Sequence, residues 1–237
     1  MRLNARGWMR LAALAAALLV ALALHGSWRL VRARSPWPRH FLGWVARIVG
    51  ARVRVRGTPL THDAVLLANH LSWIDIPALA GASGAAFVAK AELRETPLVG
   101  WLCTLNHTLF VKRGDRMGVE AQVASLRAQL AGAQPVTIFP EGTTGDGVTL
   151  LPFKAGLLAA LVPPPPAVRV QPVRIDYGAA TAELAWVGDE HGAAHAARVL
   201  GRRGTFVVTL HFLEPFTPAG DRKAIAAAAR ARIEAAR

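Results

Sequence analysis

The N-terminal quarter of this 237-residue chain combines an apolar segment of helix length with a dense set of arginines. Residues 11–28 contain no charged side chain and lie between Arg10 and Arg29. As a helix these 18 residues would extend about 27 Å, slightly less than the roughly 30 Å hydrocarbon core of a bilayer. A second segment, residues 37–49, places apolar side chains at helical spacing. The pattern predicts two apolar helices that sit in one leaflet of a membrane or barely cross it.

The positive charge of the chain is concentrated in the same quarter. The formal net charge is +13, and the first 56 residues contain eleven arginines with no lysine and no acidic residue. From Gly57 onward 17 basic residues are nearly balanced by 15 acidic ones, so this part carries only +2. A nucleic-acid-binding domain would carry a basic face of its own. We therefore expect an anionic membrane surface as a partner and no nucleic acid, with each arginine near that surface contributing about 1 kcal/mol.

Two other interpretations of the N-terminal segment remain open. A cleaved signal peptide fits the arginine-rich start, the apolar core and the small residues Ala21 and Ala23. The arginines after the run argue against export, because positive flanks tend to stay cytoplasmic. A hairpin buried in the globule would place arginines in the interior, where unpaired guanidinium groups are costly. We divide the chain into a membrane-associating helical segment, residues 1–50, and one globular domain, residues 51–237.

Beyond Gly57, short apolar strands alternate with helical stretches. The predicted strands cover residues 52–56, 64–68, 85–89, 108–111, 136–139, 168–175 and 205–212. The predicted helices cover residues 76–81, 98–105, 117–131 and 153–162, and a last helix begins near residue 218. The alternation predicts an α/β fold: a mixed, mostly parallel sheet covered by helices on both faces, preceded by the N-terminal apolar helical anchor.

A histidine and an aspartate five residues apart follow the second predicted strand. Asn69 and His70 lie at the strand end, where the active sites of α/β sheets gather. A turn before Asp75 would bring its carboxylate to the imidazole, fix the tautomer and support the cation that forms when the other nitrogen accepts a proton. Ser72 is a candidate N-cap for the next helix. The alternative is that Asp75 only caps that helix.

Two further strand ends carry polar residues. Residues 139–147 form a glycine-rich turn whose backbone N–H groups can hold an anion, although a plain surface turn is the alternative. Another strand ends in Lys112, Arg113 and Arg116, and these cations suit a phosphate or a carboxylate unless the turn is merely solvated. The chain has one cysteine, no Cys/His cluster and no phosphate-loop or dinucleotide fingerprint, so we expect no metal and no resident cofactor.

Taken together, in this order and spacing, the motifs resemble the glycerolipid acyltransferase family, whose best-known member is 1-acyl-glycerol-3-phosphate acyltransferase. The resemblance covers roughly residues 50–215. Four blocks carry it: Asn-His-x4-Asp at Asn69, His70 and Asp75, an apolar strand ending in Arg113, Phe-Pro-Glu-Gly-Thr at residues 139–143, and Val-x-Pro-Val at residues 170–173.

The resemblance implies that residues 51–237 are an acyltransferase domain. His70 would be the general base on an acceptor hydroxyl, and Asp75 would orient it. The hydroxyl would attack an acyl thioester of coenzyme A or acyl carrier protein, a co-substrate and not a cofactor, without a covalent acyl-enzyme. Such an enzyme would work at the inner membrane with its domain in the cytoplasm.

By family position, Arg113 and the turn of Glu141, Gly142 and Thr143 would hold the head group of a lysolipid acceptor, with Lys112 and Arg116 as helpers. Many members that use lysophosphatidic acid have arginine after Glu-Gly-Thr, whereas this chain has Thr144. Losing a bidentate phosphate ligand there weakens the case for a phosphate-bearing acceptor.

The expected reaction is acyl transfer to the hydroxyl of a lysophospholipid such as 1-acyl-sn-glycerol-3-phosphate. Residues 151–154 and 185–189 look more like relatives that acylate lyso-ornithine lipid, which is the alternative acceptor. Two more distant alternatives are a thioesterase or lipid hydrolase that uses the same His/Asp pair on water, and a basic membrane-binding protein without catalysis.

Overall fold

A seven-stranded sheet forms the centre of the protein in the computed structural model, which describes residues 3–32, 35–112, 118–132 and 134–236. The strands are β1 (Ala51–Arg56), β2 (Ala64–Ala68), β3 (Ala86–Lys90), β4 (Leu109–Val111), β5 (Val136–Ile138), β6 (Arg169–Asp176) and β7 (Phe206–Phe212). Their order across the sheet is β1-β7-β6-β2-β5-β3-β4. Each of the seven predicted strands is present, and no end is shifted by more than one residue.

The pairing of the strands makes the sheet mixed and mostly parallel, as predicted. β2 pairs in parallel with β5 and β6, β3 pairs in parallel with β5 and β4, and β1 pairs in parallel with β7. The β6–β7 pair is antiparallel. The carboxyl ends of β2, β3, β4, β5 and β6 therefore meet at one edge of the sheet, where ligand sites of such sheets form.

Helices cover both faces of the sheet. They are α1 (Ala5–Leu30), α2 (Trp37–Ile48), α3 (Asp75–Ser83), α4 (Pro97–Leu105), α5 (Val119–Leu130), α6 (Thr181–Leu184), α7 (Gly192–Gly201) and α8 (Arg222–Ala235). The faces follow the alternation of the strands: Leu66 of β2 packs with α2, α3 and α7, and Leu67 packs with α5 and α8. Both leucines are fully buried.

The helix predicted over residues 153–162 is wrong in extent. The structure has a 3-10 helix at Leu157–Leu161, and Lys154 lies outside it. The backbone N–H of Lys154 donates to Pro140 O at 2.8 Å, so this stretch bonds to another loop instead of to its own turn. Helices α6 and α7 were not predicted: α6 has only four residues, and the buried face of the ten-residue α7 includes a histidine, His195, beside Val199 and Leu200.

The N-terminal helices α1 and α2 are attached to the globular domain by arginines. By length and composition α1 can cross a membrane, and most of it lies outside the core. Arg10 of α1 donates to Val199 O at 3.0 Å and Leu200 O at 3.1 Å, at the end of α7. Arg39 of α2 donates to Ala82 O at 2.7 Å, at the end of α3. Cations at helix C-termini satisfy free carbonyl groups and the helix dipole, so these two arginines bind protein and not lipid.

Candidate active site

The loop between β2 and α3 brings His70 and Asp75 together. The strand ends at Ala68 and the helix begins at Asp75, so residues 69–74 reverse the chain without helical structure. His70 Nδ1 lies 2.8 Å from Asp75 Oδ2. We call residues 69–75 the dyad turn.

Asp75 is fully buried and binds more than the imidazole. Its Oδ2 also accepts the backbone N–H groups of Leu71 at 2.7 Å and Ser72 at 3.0 Å. The carboxylate therefore both orients His70 and caps the turn, so the two sequence interpretations describe the same side chain. The N-cap predicted at Ser72 is displaced: the helix is preceded by Ile74, which has no side-chain cap, and Ser72 Oγ accepts the backbone N–H of Ile74 at 3.4 Å.

The imidazole of His70 is held flat against an aromatic ring. The rings of His70 and Phe139 are stacked, with centroids 4.0 Å apart and planes 14° apart. The side chain of His70 is 17% exposed. Within the described residues its Nε2 has no hydrogen-bond partner, so this nitrogen can accept a proton from a bound molecule.

Two side chains connect the dyad turn to the end of β6. Asn69 exchanges two hydrogen bonds with the backbone of Ile175, at 3.0 Å and 2.7 Å. Tyr177 donates its hydroxyl to Asp75 Oδ1. Burial, followed by the charge of Asp75, raises the pKa of Tyr177 well above its usual value, so this phenol stays a neutral donor. Sequence reasoning missed Tyr177, although it is the chain's single tyrosine and follows a predicted strand.

Glu141 lies at the end of β5 with its carboxylate directed into the protein. Oε1 accepts the backbone N–H of His70 and Oε2 that of Leu151, both at 2.9 Å. The residue is 3% exposed. Burial raises the pKa of Glu141, and the two backbone hydrogen bonds oppose that rise. Together with the 2.8 Å bond from Gly145 N to His70 O, Glu141 fastens the dyad turn to residues 139–147, which we call the Glu141 turn.

The other residues predicted to bind an acceptor are spread along the same edge. Gly142, at φ +73°, and the exposed Thr143 lie in the Glu141 turn. Lys112 is exposed at the end of β4, three strands from β2, a distance of about 14 Å at the usual strand spacing. Arg113 and Arg116 lie outside the described residues.

Thr144, which stands where many relatives have an arginine, makes a structural hydrogen bond. Its hydroxyl donates to Trp186 O, and Trp186 N donates to Leu71 O at 2.8 Å. A β-carbon on Gly142 would come within 2.9 Å of Lys154 Nζ, so the ammonium group of Lys154 lies against the Glu141 turn. Lys154 is a cation that sequence reasoning did not assign to the site.

Behind the two turns lies a small polar cavity. Its lining includes Asn69, Glu141, Thr149, Arg174 and Asp176. Arg174 Nη1 is buried there and has no hydrogen-bond partner within the described residues. No group of three or more potential metal ligands occurs in the described part of the chain.

Comparison with known proteins adds an independent observation. The Acyltransferase family model matches residues 52–176. A lyso-ornithine lipid O-acyltransferase of Rhodobacter capsulatus is 34% identical over 242 residues, covering 95% of this chain and 87% of the relative. A 1-acyl-sn-glycerol-3-phosphate acyltransferase of Neisseria gonorrhoeae is 35% identical over 108 residues, covering 45% of this chain and 42% of the relative.

A solved structure shares the fold. The crystal structure of the 1-acyl-sn-glycerophosphate acyltransferase PlsC from Thermotoga maritima matches with a TM-score of 0.61 at 24% identity, over 97% of each chain. The family match contains both turns and β6 up to Asp176, so it includes the His70–Asp75 pair and the residues that hold it. The chain therefore belongs to the Acyltransferase family and is an acyltransferase.

Proposed function

We propose that this acyltransferase moves a fatty acyl group from an acyl thioester to the free hydroxyl of lyso-ornithine lipid, in membrane lipid biosynthesis. The observation that carries the proposal is the contact between His70 Nδ1 and the buried Asp75 carboxylate at 2.8 Å. This contact puts the ring proton on Nδ1 and leaves Nε2 as the base. A positioned base typically contributes about 10²- to 10⁴-fold to such a reaction.

In the proposed reaction the acceptor hydroxyl lies near Nε2 of His70. Its oxygen attacks the carbonyl carbon of the thioester while Nε2 takes the hydroxyl proton, and Asp75 stabilises the imidazolium that forms. The C–O bond of the new ester forms and the C–S bond breaks. The thiolate then leaves and takes the proton from His70, which restores the neutral base.

The thioester is carried by coenzyme A or by acyl carrier protein. Both are cytoplasmic, so the proposal places the catalytic edge of the sheet on the cytoplasmic side of the inner membrane. The apolar helix α1 and the positive charge of the N-terminal quarter support an anionic membrane surface as the site of work. Lipid acceptors are found at that surface.

Two observations favour lyso-ornithine lipid as the acceptor. The relative with that name matches over 95% of this chain, whereas the gonococcal relative named for 1-acyl-sn-glycerol-3-phosphate matches over 45%. In addition, Thr144 is uncharged and its hydroxyl donates a hydrogen bond to Trp186 O, so this residue offers no bidentate ligand for a phosphate. Lysophosphatidic acid remains the second candidate, because PlsC shares the fold over 97% of the chain.

The test is purified full-length enzyme in mixed micelles, offered lyso-ornithine lipid and lysophosphatidic acid side by side. Acyl-coenzyme A and acyl carrier protein are supplied in separate arms, and products are identified by mass. We expect acylated lyso-ornithine lipid to form faster than phosphatidic acid with at least one donor. His70→Ala is the matched control for reaction at this site.

Three other outcomes would contradict the proposal in different ways. Faster acylation of lysophosphatidic acid would reverse the choice of acceptor. Free fatty acid released at the same rate without an acceptor would indicate a thioesterase. No thioester turnover, with salt-sensitive binding to anionic vesicles, would indicate a binding protein.

A further inference from the structure

Both oxygens of the Asp75 carboxylate are used, but in different ways. Oδ2 accepts three donors, which are His70 Nδ1 and the backbone N–H groups of Leu71 and Ser72. Oδ1 accepts the hydroxyl of Tyr177. Asp75 is 0% exposed, so water does not replace a protein donor that is lost. A buried carboxylate without its donors is costly.

Tyr177 is fixed in place by the same strand that fixes the dyad turn. It follows β6, whose Ile175 exchanges two hydrogen bonds with Asn69. Its ring is buried and lies against Phe206, with centroids 6.2 Å apart. The hydroxyl therefore reaches Asp75 from the end of β6, and the contact with Phe206 of β7 holds its ring from outside the dyad turn.

We propose that Tyr177 is a positioning residue for the acyl transfer reaction: its hydroxyl orients the Asp75 carboxylate and takes up part of its charge, and it thereby sets how strongly His70 holds a proton. The inference rests on the proposed function, because it assigns His70 as the base. Tyr177 itself does not touch the reacting atoms in this arrangement.

The direction of the effect follows from electrostatics. A hydrogen bond from Tyr177 spreads the negative charge of the carboxylate, so less of it faces the imidazole. Without that bond, Asp75 would stabilise the imidazolium form of His70 more strongly. A larger share of His70 would then be protonated at a given pH, and a protonated imidazole cannot act as a base.

The charged and titratable groups around this pair come from three elements. His70 and Asp75 lie on the dyad turn and the start of α3, and Glu141 comes from the Glu141 turn. Arg174 and Asp176 of β6 line the same small cavity as His70, and Tyr177 follows β6. Glu141 bonds the backbone N–H groups of His70 and Leu151 and does not contact the hydroxyl of Tyr177, so we expect these two bonds to persist when that hydroxyl is removed.

The first test is Tyr177→Phe in the full-length enzyme, with kcat and KM measured across pH. We expect kcat to fall about tenfold with KM for the acceptor unchanged, and the acid limb of the pH profile to move to higher pH. Ser83→Ala is the matched control, because it removes a buried hydroxyl that donates to Leu79 O at the far end of α3. The control should leave the pH profile in place.

A second readout does not need acyl transfer. Diethyl pyrocarbonate modifies neutral imidazole, so the pH dependence of His70 labelling, read by peptide mass, reports its protonation directly. We expect the labelling midpoint of Tyr177→Phe to lie at higher pH than that of wild type. If wild type transfers no acyl group to any acceptor, the proposed function fails while this arm still tests the contact.

A third variant keeps the phenol hydroxyl of Tyr177 and changes only its strength as a donor. Tyr177 is the only tyrosine, so growth on 3-fluorotyrosine alters this hydroxyl alone among phenols. The fluorinated phenol is a stronger hydrogen-bond donor. We therefore expect the midpoint of the acid limb of the kcat profile and the midpoint of His70 labelling to move to lower pH, opposite to Tyr177→Phe. Midpoints that stay at the wild-type position in both variants, with only a loss of thermal stability, would overturn the proposal.

Discussion

The dyad turn and the Glu141 turn are built alike and do different work. Each follows a buried strand of the sheet, β2 or β5, and each contains one buried carboxylate that accepts backbone N–H groups. Asp75 also accepts from the imidazole of His70. Glu141 accepts from the backbone of His70 and Leu151, and from no side chain within the described residues.

This difference separates a carboxylate that contacts the proposed base from a carboxylate that joins two loops. A carboxylate on Nδ1 of His70 fixes the tautomer of the ring and stabilises an imidazolium that forms, which is a chemical effect. A carboxylate on the backbone N–H of the same residue fixes where the ring is. Glu141 was expected to bind an acceptor head group. Both of its oxygens accept backbone N–H groups, which favours a positioning role. Head-group binding stays a prediction for Glu141, Gly142, Thr143, Lys112, Arg113 and Arg116.

The largest effect should come from the dyad turn. His70→Ala removes the proposed base, and we expect acyl transfer to fall by about 10²- to 10⁴-fold. The protein should stay folded with a lower thermal unfolding midpoint, because the buried Asp75 carboxylate loses one of its donors. The matched control is His62→Ala, which removes an exposed imidazole beside Asp63, away from the site. Full activity in His70→Ala would refute the proposed mechanism.

A smaller effect, of a different kind, is expected in the Glu141 turn. Glu141→Gln places an N–H donor where the carboxylate accepts one, which should destabilise the protein by about 1–2 kcal/mol and lower kcat. KM for the acceptor should stay the same if Glu141 only fastens the turns. A rise in KM with unchanged stability would instead make Glu141 a ligand of the acceptor.

The pH dependence of stability sharpens this test. Because burial raises the pKa of folded Glu141, its contribution to stability is fully present below the ordinary glutamate value of about 4.3 and is lost as pH rises through the folded value. Glutamine does not titrate. The difference in unfolding midpoint between wild type and Glu141→Gln should therefore narrow as the pH rises from about 4.3 through the raised pKa of folded Glu141. A widening difference would contradict this assignment.

The smallest effect is expected at the link between the Glu141 turn and Trp186. Thr144→Val keeps the shape and loses the hydroxyl bond to Trp186 O, at a cost of about 1 kcal/mol. The thermal unfolding midpoint measures this loss of stability, and KM for the acceptor shows whether acceptor binding changes as well. The neighbouring Thr143→Val alters an exposed hydroxyl, so it should leave stability unchanged and raise KM if Thr143 binds the acceptor. Equal destabilisation by both substitutions would contradict the link.

Sequence patterns were most informative for strands and for short-range chemistry. Buried strands such as Ala64–Ala68 are continuous apolar runs bounded by polar turns, so their position is visible without the fold. His70 and Asp75 are five residues apart, and a single turn can join them. The helix predicted over residues 153–162 is shorter in the structure. Lys154 N donates to Pro140 O, and this bond depends on a loop that the sequence pattern does not place beside it.

Arg10 and Arg39 show the same limit in the N-terminal helices. From the sequence they are positive flanks of apolar segments and predict a membrane surface. In the fold they bind the carbonyl ends of α7 and α3, about 190 and 43 positions along the chain. Helix ends present unsatisfied carbonyls, and which cation reaches them depends on packing.

By itself the sequence determined the alternating α/β pattern, the apolar basic N-terminus and the four motifs, because these depend on residues that are neighbours along the chain. The tertiary structure alone decided the partners of the buried carboxylates that are distant in sequence. Tyr177 meets Asp75 across 102 positions and Glu141 meets His70 across 71, since parallel strands bring their ends to one edge whatever their separation in sequence. Buried charges need donors, and the fold determines which residues supply them.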